Sequence, residues 1–398
     1  MKPHGTTSMF VSRNSLKWLP AVVVPAVVVV GVIALPLQAG AAVDLPDKTP
    51  EQVLLMVSDS TVTSFSGTVE KTADLGLPNM DLSAGLSPGM VDQMSESIPE
   101  GMEDFVPGAA TTGALTSALE LFSGSQTARV YVDGPTNVRV QIKDPLAERN
   151  IVSNGSDAWL YDSQTNTATH AAIPSDLEAT VEEKLGALQV LAPSDLSTPA
   201  QVADRFLAEI DPSTTVSVGS DGEVAGRPVY ELVLTPKSTE TLVESVAISV
   251  DSETGLPLQL VVRAAGQEAP AFEVGFTSID FSTPSADLFE FTPPAGATLE
   301  EQEIPSMQDA ADARGEFGEL MGAAPVVTGE AWSTIVEIAA ESVPAELSDN
   351  PLVAELTTEV EGGRLLSTSL VNVLLTTDGR VLAGSVPVGQ LQAAASAQ

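Results

Sequence analysis

Between residues 64 and 291 the chain is dominated by strand-length runs of alternating β-formers, separated by short clusters of turn residues. Turns this short leave no room for the long crossover that a parallel pair requires, so the pattern predicts an antiparallel meander. "SFSGTVEKTA" (64–73) opens the series, and "ARVYVDGPTNVRVQIK" (128–143) reads as a hairpin around Asp133-Gly134-Pro135. "NIVSNGSDAWLYDSQTNTATH" (150–170) supplies three short strands, divided at Asn154-Gly155 and at "DSQTN". Further strands are predicted at 214–219, 229–235, 245–251, 257–263, 271–281 and 288–291. The stretch "VAGRPVYELVLTP" (224–236) adds a condition. Tyr230, Leu232 and Leu234 point to one face, Val229, Glu231 and Val233 to the other. Both faces are largely apolar, so each needs a cover.

Two helices can supply part of one. "TPEQVLLMVSDS" begins at Thr49 and "TPAQVADRFLAEI" at Thr198. Each opens with a Thr N-cap, Pro at N1 and Gln at N3, a capping box with a proline start. Val53, Leu54 and Val57 in the first, and Val202, Phe206, Leu207 and Ile210 in the second, recur at helical spacing and need an apolar bed. Residues 74–127, rich in Gly, Pro, Ser and Met, interrupt the meander as a flexible inserted loop. From 300 to 324 the chain reads as an acidic linker with a helix at 305–321. A small C-terminal α+β unit follows over 325–398, with a strand near 331–339, a helix near 344–357 and a hairpin 364–387 turning on Thr377-Asp378-Gly379. Its segment "RLLSTSLVNVLLTT" reads as one buried strand. So small a unit is marginal alone and is expected to dock on the main domain, 44–299. The fold class expected is mainly β (α+β).

Residues 1–43 carry Lys2, Arg13 and Lys17, no acidic residue, and a long apolar run ending in "AGAA". This is the pattern of an export signal, either cleaved as a signal peptide or retained as an N-terminal membrane anchor. The chain has 54 acidic residues against 17 basic ones, a formal charge of −37. Nucleic-acid binding needs a basic footprint, and this balance argues against it. There is no cysteine, hence no disulfide, no thiolate metal site and no lipidated N-terminal cysteine.

No phosphate-binding loop, dinucleotide fingerprint, zincin motif or nucleophile elbow occurs. His4 lies in the leader, and His170, at a strand end, has no nucleophile motif to serve as a catalytic base. "VDSETG" (250–255) lacks the alternating ligands of a calcium loop and reads as a turn. Asn154-Gly155-Ser156, a glycosylation triplet, is already accounted for as a hairpin turn. No catalytic, cofactor or metal residue is assigned. The chain reads as a binding protein rather than an enzyme.

The order of these segments resembles the LolA/LolB superfamily of lipoprotein carriers, which includes LppX-like lipid carriers and the sensor RseB. Within it, the chain more closely resembles actinobacterial LolA-like secreted proteins. The likeness covers 47–299 and rests most on Gly226…Tyr230-x-Leu-x-Leu-x-Pro236 and Asp251…Thr254-Gly255-Leu256-Pro257. It implies a curved antiparallel sheet, an unclosed half-barrel whose concave face is covered by helices, with an acyl chain held between them. Alternation then nominates Val140, Trp159, Tyr161, Phe206, Leu232, Leu260, Phe272, Val274 and Phe276 as lining residues. The resemblance implies lipid or lipoprotein acyl chains as ligand. It also leaves open a sensor or regulator like RseB, whose second domain engages a membrane protein partner.

Overall fold

The computed structural model describes residues 44–76, 124–143, 147–173, 212–303, 325–340 and 356–397, with isolated positions between them. The leader (1–43), most of the inserted loop, most of the second capped helix and the helix expected at 305–321 lie outside the described residues. Among the described residues no helix is long and apolar enough to cross a membrane.

The first helix, α1 (Pro50–Ser58), starts as its sequence dictates. Thr49 Oγ1 accepts from the Gln52 amide, and Gln52 Oε1 accepts from the Thr49 amide at 2.9 Å. Strands β1 (Ser64–Ala73), β2 (Gly124–Asp133) and β3 (Asn137–Lys143) follow. Then come β4 (Glu148–Asn154), β5 (Asp157–Asp162) and β6 (Thr167–Ala172). Beyond the second capped helix, of which Leu207 and Ile210 are described as helical, lie β7 (Thr214–Val218), β8 (Gly222–Val224) and β9 (Arg227–Pro236). The series continues with β10 (Val243–Asp251), β11 (Pro257–Ala264), β12 (Phe272–Asp280) and β13 (Thr298–Glu303).

These thirteen strands form one curved, unclosed sheet in the order β13-β6-β5-β4-β3-β2-β1-β12-β11-β10-β9-β7, with β8 also on β9. All pairs are antiparallel except β13 with β6. Strand β1 pairs with β2 on one side and β12 on the other, and so joins the two meanders. The segment 288–291, expected as a strand, is occupied instead by a 3-10 turn at Ala286–Phe289 and an extended tail. Thr298–Glu303, where the linker was expected to begin at 300, is the parallel edge strand.

A second sheet holds β14 (Val326–Thr328), β15 (Ile335–Ile338), β16 (Thr358–Val360), β17 (Gly363–Ser367), β18 (Asn372–Thr376) and β19 (Val381–Gly384). Its order is β14-β15-β19-β18-β17-β16. The stretch 364–377 is therefore two strands and not one, because Thr368 Oγ1 accepts from the Leu370 and Val371 amides and reverses the chain. The last helix, α2 (Val388–Ser396), was not anticipated; it buries Leu391 against Ile335, Leu365, Leu374 and Leu382. The small unit lies on the large sheet. Trp332 Nε1 donates to Thr214 Oγ1 at 2.8 Å, the Leu242 amide to Ser385 O at 2.8 Å, and the Ser369 amide to Leu75 O at 2.8 Å.

Helix α1 covers one end of the large sheet. It sets Val53, fully buried, against Tyr230, Leu232 and Val250, and the Tyr230 hydroxyl donates to Pro46 O at 3.0 Å. The turn between β10 and β11 makes this approach possible. Asp251, itself buried, accepts from the Glu253 and Thr254 amides and from the Arg227 guanidinium. Gly255 follows at φ +73, directly beneath α1, where a Cβ would overlap the Met56 carbonyl. We expect Gly255→Ala to cost about 2 kcal/mol or more, since both the left-handed backbone and the helix contact are lost. Denaturant titration checks this. The two-residue loop Ala225-Gly226 between β8 and β9 has φ +53 and +76, the geometry of a type I′ turn. Ala is poorly suited to its first position, so Ala225→Asn should stabilise the protein by about 1 kcal/mol in the same titration.

Candidate functional site

Side-chain facing follows from the register. Across β9–β12, one row runs Leu232, Ile248, Leu260, Val274 and the next Leu234, Val246, Val262, Phe272. Both lie on the face that α1 occupies. Trp332 and Leu370, from the small unit, pack over the part of these rows that α1 does not reach. Leu232, Leu260, Phe272 and Val274 are accordingly buried at 3–6% exposure, as core. Phe276 is set apart from them. Its ring meets Phe65 edge-on at 5.8 Å and packs with Val224, Val229 and Leu258. Gly67 makes room for it, since a Cβ there would lie 2.7 Å from the Phe276 ring.

Val140 belongs to the same face in the other half of the sheet. Its row runs Gly67, Val130, Val140, Ile151, Leu160 across β1 to β5. Here the face is open: Ile151 is 43% and Leu160 47% exposed. Val132, Val138, Ser153 and Ala158 form the adjoining row, two residues along each strand. Ile151 and Leu160 are cross-strand neighbours exposed among half-buried valines, and contiguous apolar surface of this kind is a feature of binding sites.

Trp159 and Tyr161 do not face this surface. The pairs Val152↔Trp159 and Ile151↔Leu160 put them on the opposite side of the sheet from Val140. There Phe291 covers them, with ring centroids at 5.4 and 5.9 Å, and Arg139 Nη1 ties the 3-10 turn down by donating to Leu288 O at 2.9 Å. Phe206 lies outside the described residues. Sequence reasoning passed over Ile151 and Leu160. The signal that identifies them is the stretch Asn154-Gly155-Ser156, whose two loop residues are Gly155 and Ser156 and which Asn154 Oδ1 closes by accepting from the Asp157 amide at 2.8 Å. Counting outward from it pairs Ser153 with Ala158, then Ile151 with Leu160.

The opposite face is mixed, with Val233, Ala247 and Val261 in one half-buried row across β9 to β11. Glu231 and Glu273 lie there half-buried, and burial raises both carboxyls above the usual range while Arg263 works against it. His170 stacks on Trp159 at 4.2 Å, and both its ring nitrogens meet carboxylates at 2.8 Å, Nε2 on Asp157 and Nδ1 on Glu301. Neither nitrogen is left to take a proton from a nucleophile. Among the described residues no group of three His, Cys, Asp or Glu is placed to hold a metal ion. A cleft of about 390 Å³ lies in the small unit, beside Thr376, Asp378, Arg380 and Gln392. The Arg380 guanidinium there is already engaged by Glu337, Asp378 and the Ala395 carbonyl.

The division of the helix face into a closed and an open half is testable by stability. Leu260→Ala and Phe272→Ala should each cost about 2–5 kcal/mol, as buried large-to-small changes do. Leu160→Ala should stay within about 0.5 kcal/mol of the parent, the usual range for an exposed position.

Among solved structures the chain is similar to the Pseudomonas aeruginosa MucA/MucB complex, at 13% identity and a TM-score of 0.38, covering 87% of this chain and 96% of that one. It is also similar to an uncharacterized conserved protein from Thermus thermophilus (10% identity, TM-score 0.32, 63% of this chain and 98% of that one). A LolA superfamily protein from Nitrosomonas europaea is a third (9% identity, TM-score 0.23, 62% and 99%). No curated protein matches the sequence. Residues 92–300, just over half of the chain, match the model of the family described as "Predicted periplasmic protein (DUF2092)", and the chain belongs to that family.

Proposed function

We propose that this protein is an exported, non-enzymatic binding protein of LolA-like type that takes an acyl chain of a lipid or lipoprotein on the open half of its helix face. The observation that carries the reading is the row Val130, Val140, Ile151, Leu160, whose last two members are exposed. Ten methylenes taken wholly out of water contribute about 8 kcal/mol, and about half of that when only one side of the chain lies on the face. Such a contact requires no polar chemistry, and how deeply the chain is buried sets the affinity left after several kcal/mol of lost motion. The rest of the organisation follows the same reading: 1–43 as a signal peptide or anchor that places the chain outside the cytoplasmic membrane, 44–299 as the binding domain, and 325–398 as a docked second unit.

Native mass spectrometry of the purified protein and titration with a fluorescent fatty acid test it. Co-purified acyl species are expected, and Ile151→Glu with Leu160→Glu should weaken uptake at least about tenfold while unfolding is unchanged, since both positions are exposed. A parent protein without bound lipid, or uptake indifferent to both substitutions, overturns the reading.

One feature favours a second role, that of an RseB-like regulator binding a membrane protein through the 325–390 unit. Strand β14 is the edge of the small sheet, and its Val326 and Val327 are exposed. An unpaired apolar edge is a template for a partner strand. A clean apo mass together with a co-precipitating membrane protein, lost on Val327→Lys, is the result that selects it.

A further inference from the structure

His170 is the one histidine outside the leader. Its Nε2 lies 2.8 Å from Asp157 Oδ1 on β5 and its Nδ1 2.8 Å from Glu301 Oε2 on β13. An ionised carboxylate only accepts, and a neutral imidazole donates from a single nitrogen. Both bonds are therefore complete only when the ring is an imidazolium. We propose that His170 is a proton-operated latch that holds the edge strand β13 on the large sheet, closed at low pH and released as pH rises.

The strand it holds is one that needs holding. The pairing of β13 with β6 is the one parallel pairing described in the large sheet, and parallel pairs are the less stable per residue. The strand reads "TLEEQE", with three glutamates, a poor β-former, in a chain of net charge −37. Within the register Glu301 stands directly beside His170. Among the described residues the charged groups that face the ring are Asp157 from β5 and Glu301 from β13, and Trp159 stacks on it.

Both carboxylates act in one direction. The hydrogen bond to Asp157, and next that to Glu301, raise His170 above its ordinary 6.5, against a smaller opposing effect of burial. A histidine raised by folding contributes its stabilisation in full below its unfolded value and loses it as pH climbs through the folded one. Asp157 is lowered, by the Ser156 hydroxyl first and His170 second, so its share survives acidification until pH drops through that depressed value. The latch is closed between these limits and opens on the alkaline side. Opening frees the backbone edge of Thr167–Ala172 and passes 298–303 to the segment that leads into the small sheet. In a periplasmic family this edge meets a compartment whose pH follows the surroundings.

The test uses the full chain with His4→Gln, which leaves His170 as the only histidine, and combines an NMR titration of the ring with hydrogen exchange of 298–303, corrected for intrinsic rates. The ring midpoint is expected above 6.5, and protection of 298–303 should fall with that same midpoint. Each pH unit by which it exceeds 6.5 corresponds to about a tenfold change in opening. His170→Gln and Glu301→Gln should remove the pH dependence, whereas Glu300→Gln should keep it. A ring midpoint at or below 6.5, equal protection on both sides of the titration, or a dependence that survives His170→Gln overturns the proposal. Should His170→Gln fail to fold, the ring titration and Glu301→Gln still decide.

Discussion

The ladder between β1 and β12 is what makes the large sheet one object. Strands β2 to β6 and β7 to β12 are each assembled from neighbours in the chain, and either half could form from local turns alone. Residues 64–73 must find 272–280 across the whole domain before the halves share a face. That contact closes a long loop, and its entropy is lost before the sheet gains anything, so it is the slow, non-local step of such a topology. The register shift between Thr68 and Val69, together with the bare Cα of Gly67 under the Phe276 ring, lets the seam form without a clash.

Once the seam exists, one continuous face runs from Leu234 to Leu160, and its two ends have different fates. At the β9 end the face receives α1, seated on the Gly255 turn, and then Trp332 and Leu370 from the small unit. Apolar side chains there are consumed in the core. At the β5 end Ile151 and Leu160 keep almost half of their surface exposed. The same residue types therefore serve as mortar in one half and as an open surface in the other. The small unit does more than ride on the domain, because its tryptophan is part of the larger core and its ring nitrogen satisfies the buried Thr214 hydroxyl.

Much of the architecture is legible from local chemistry. The capping box of Thr49 and Gln52 and the Asp251 to Gly255 turn form where their residues place them, and the turn expected at Asn154-Gly155 forms one residue on, at Gly155-Ser156, because each is decided by hydrogen bonds within a few positions. The errors share a cause. Reading 364–377 as one strand ignored Thr368, whose hydroxyl turns the chain back. Strand β13 was hidden because three of the six residues of "TLEEQE" are glutamate, a poor β-former, and its pairing depends on the edge that β6 offers far back in the chain. Grouping Val140 with Trp159 and Tyr161 counted alternation within each strand but not across the turns between them. Parity along one strand says nothing of which face the next strand shares.

By itself, then, the sequence determined an antiparallel β protein with a capped helix at its start, a second small unit at its end and no motif for chemistry, since periodicity and turn residues act over a few positions. Only the tertiary structure decided which apolar residues are roofed and which are open, and that His170 is gripped by two carboxylates from different strands. Those outcomes depend on register and docking between segments far apart in the chain, and no local pattern encodes them.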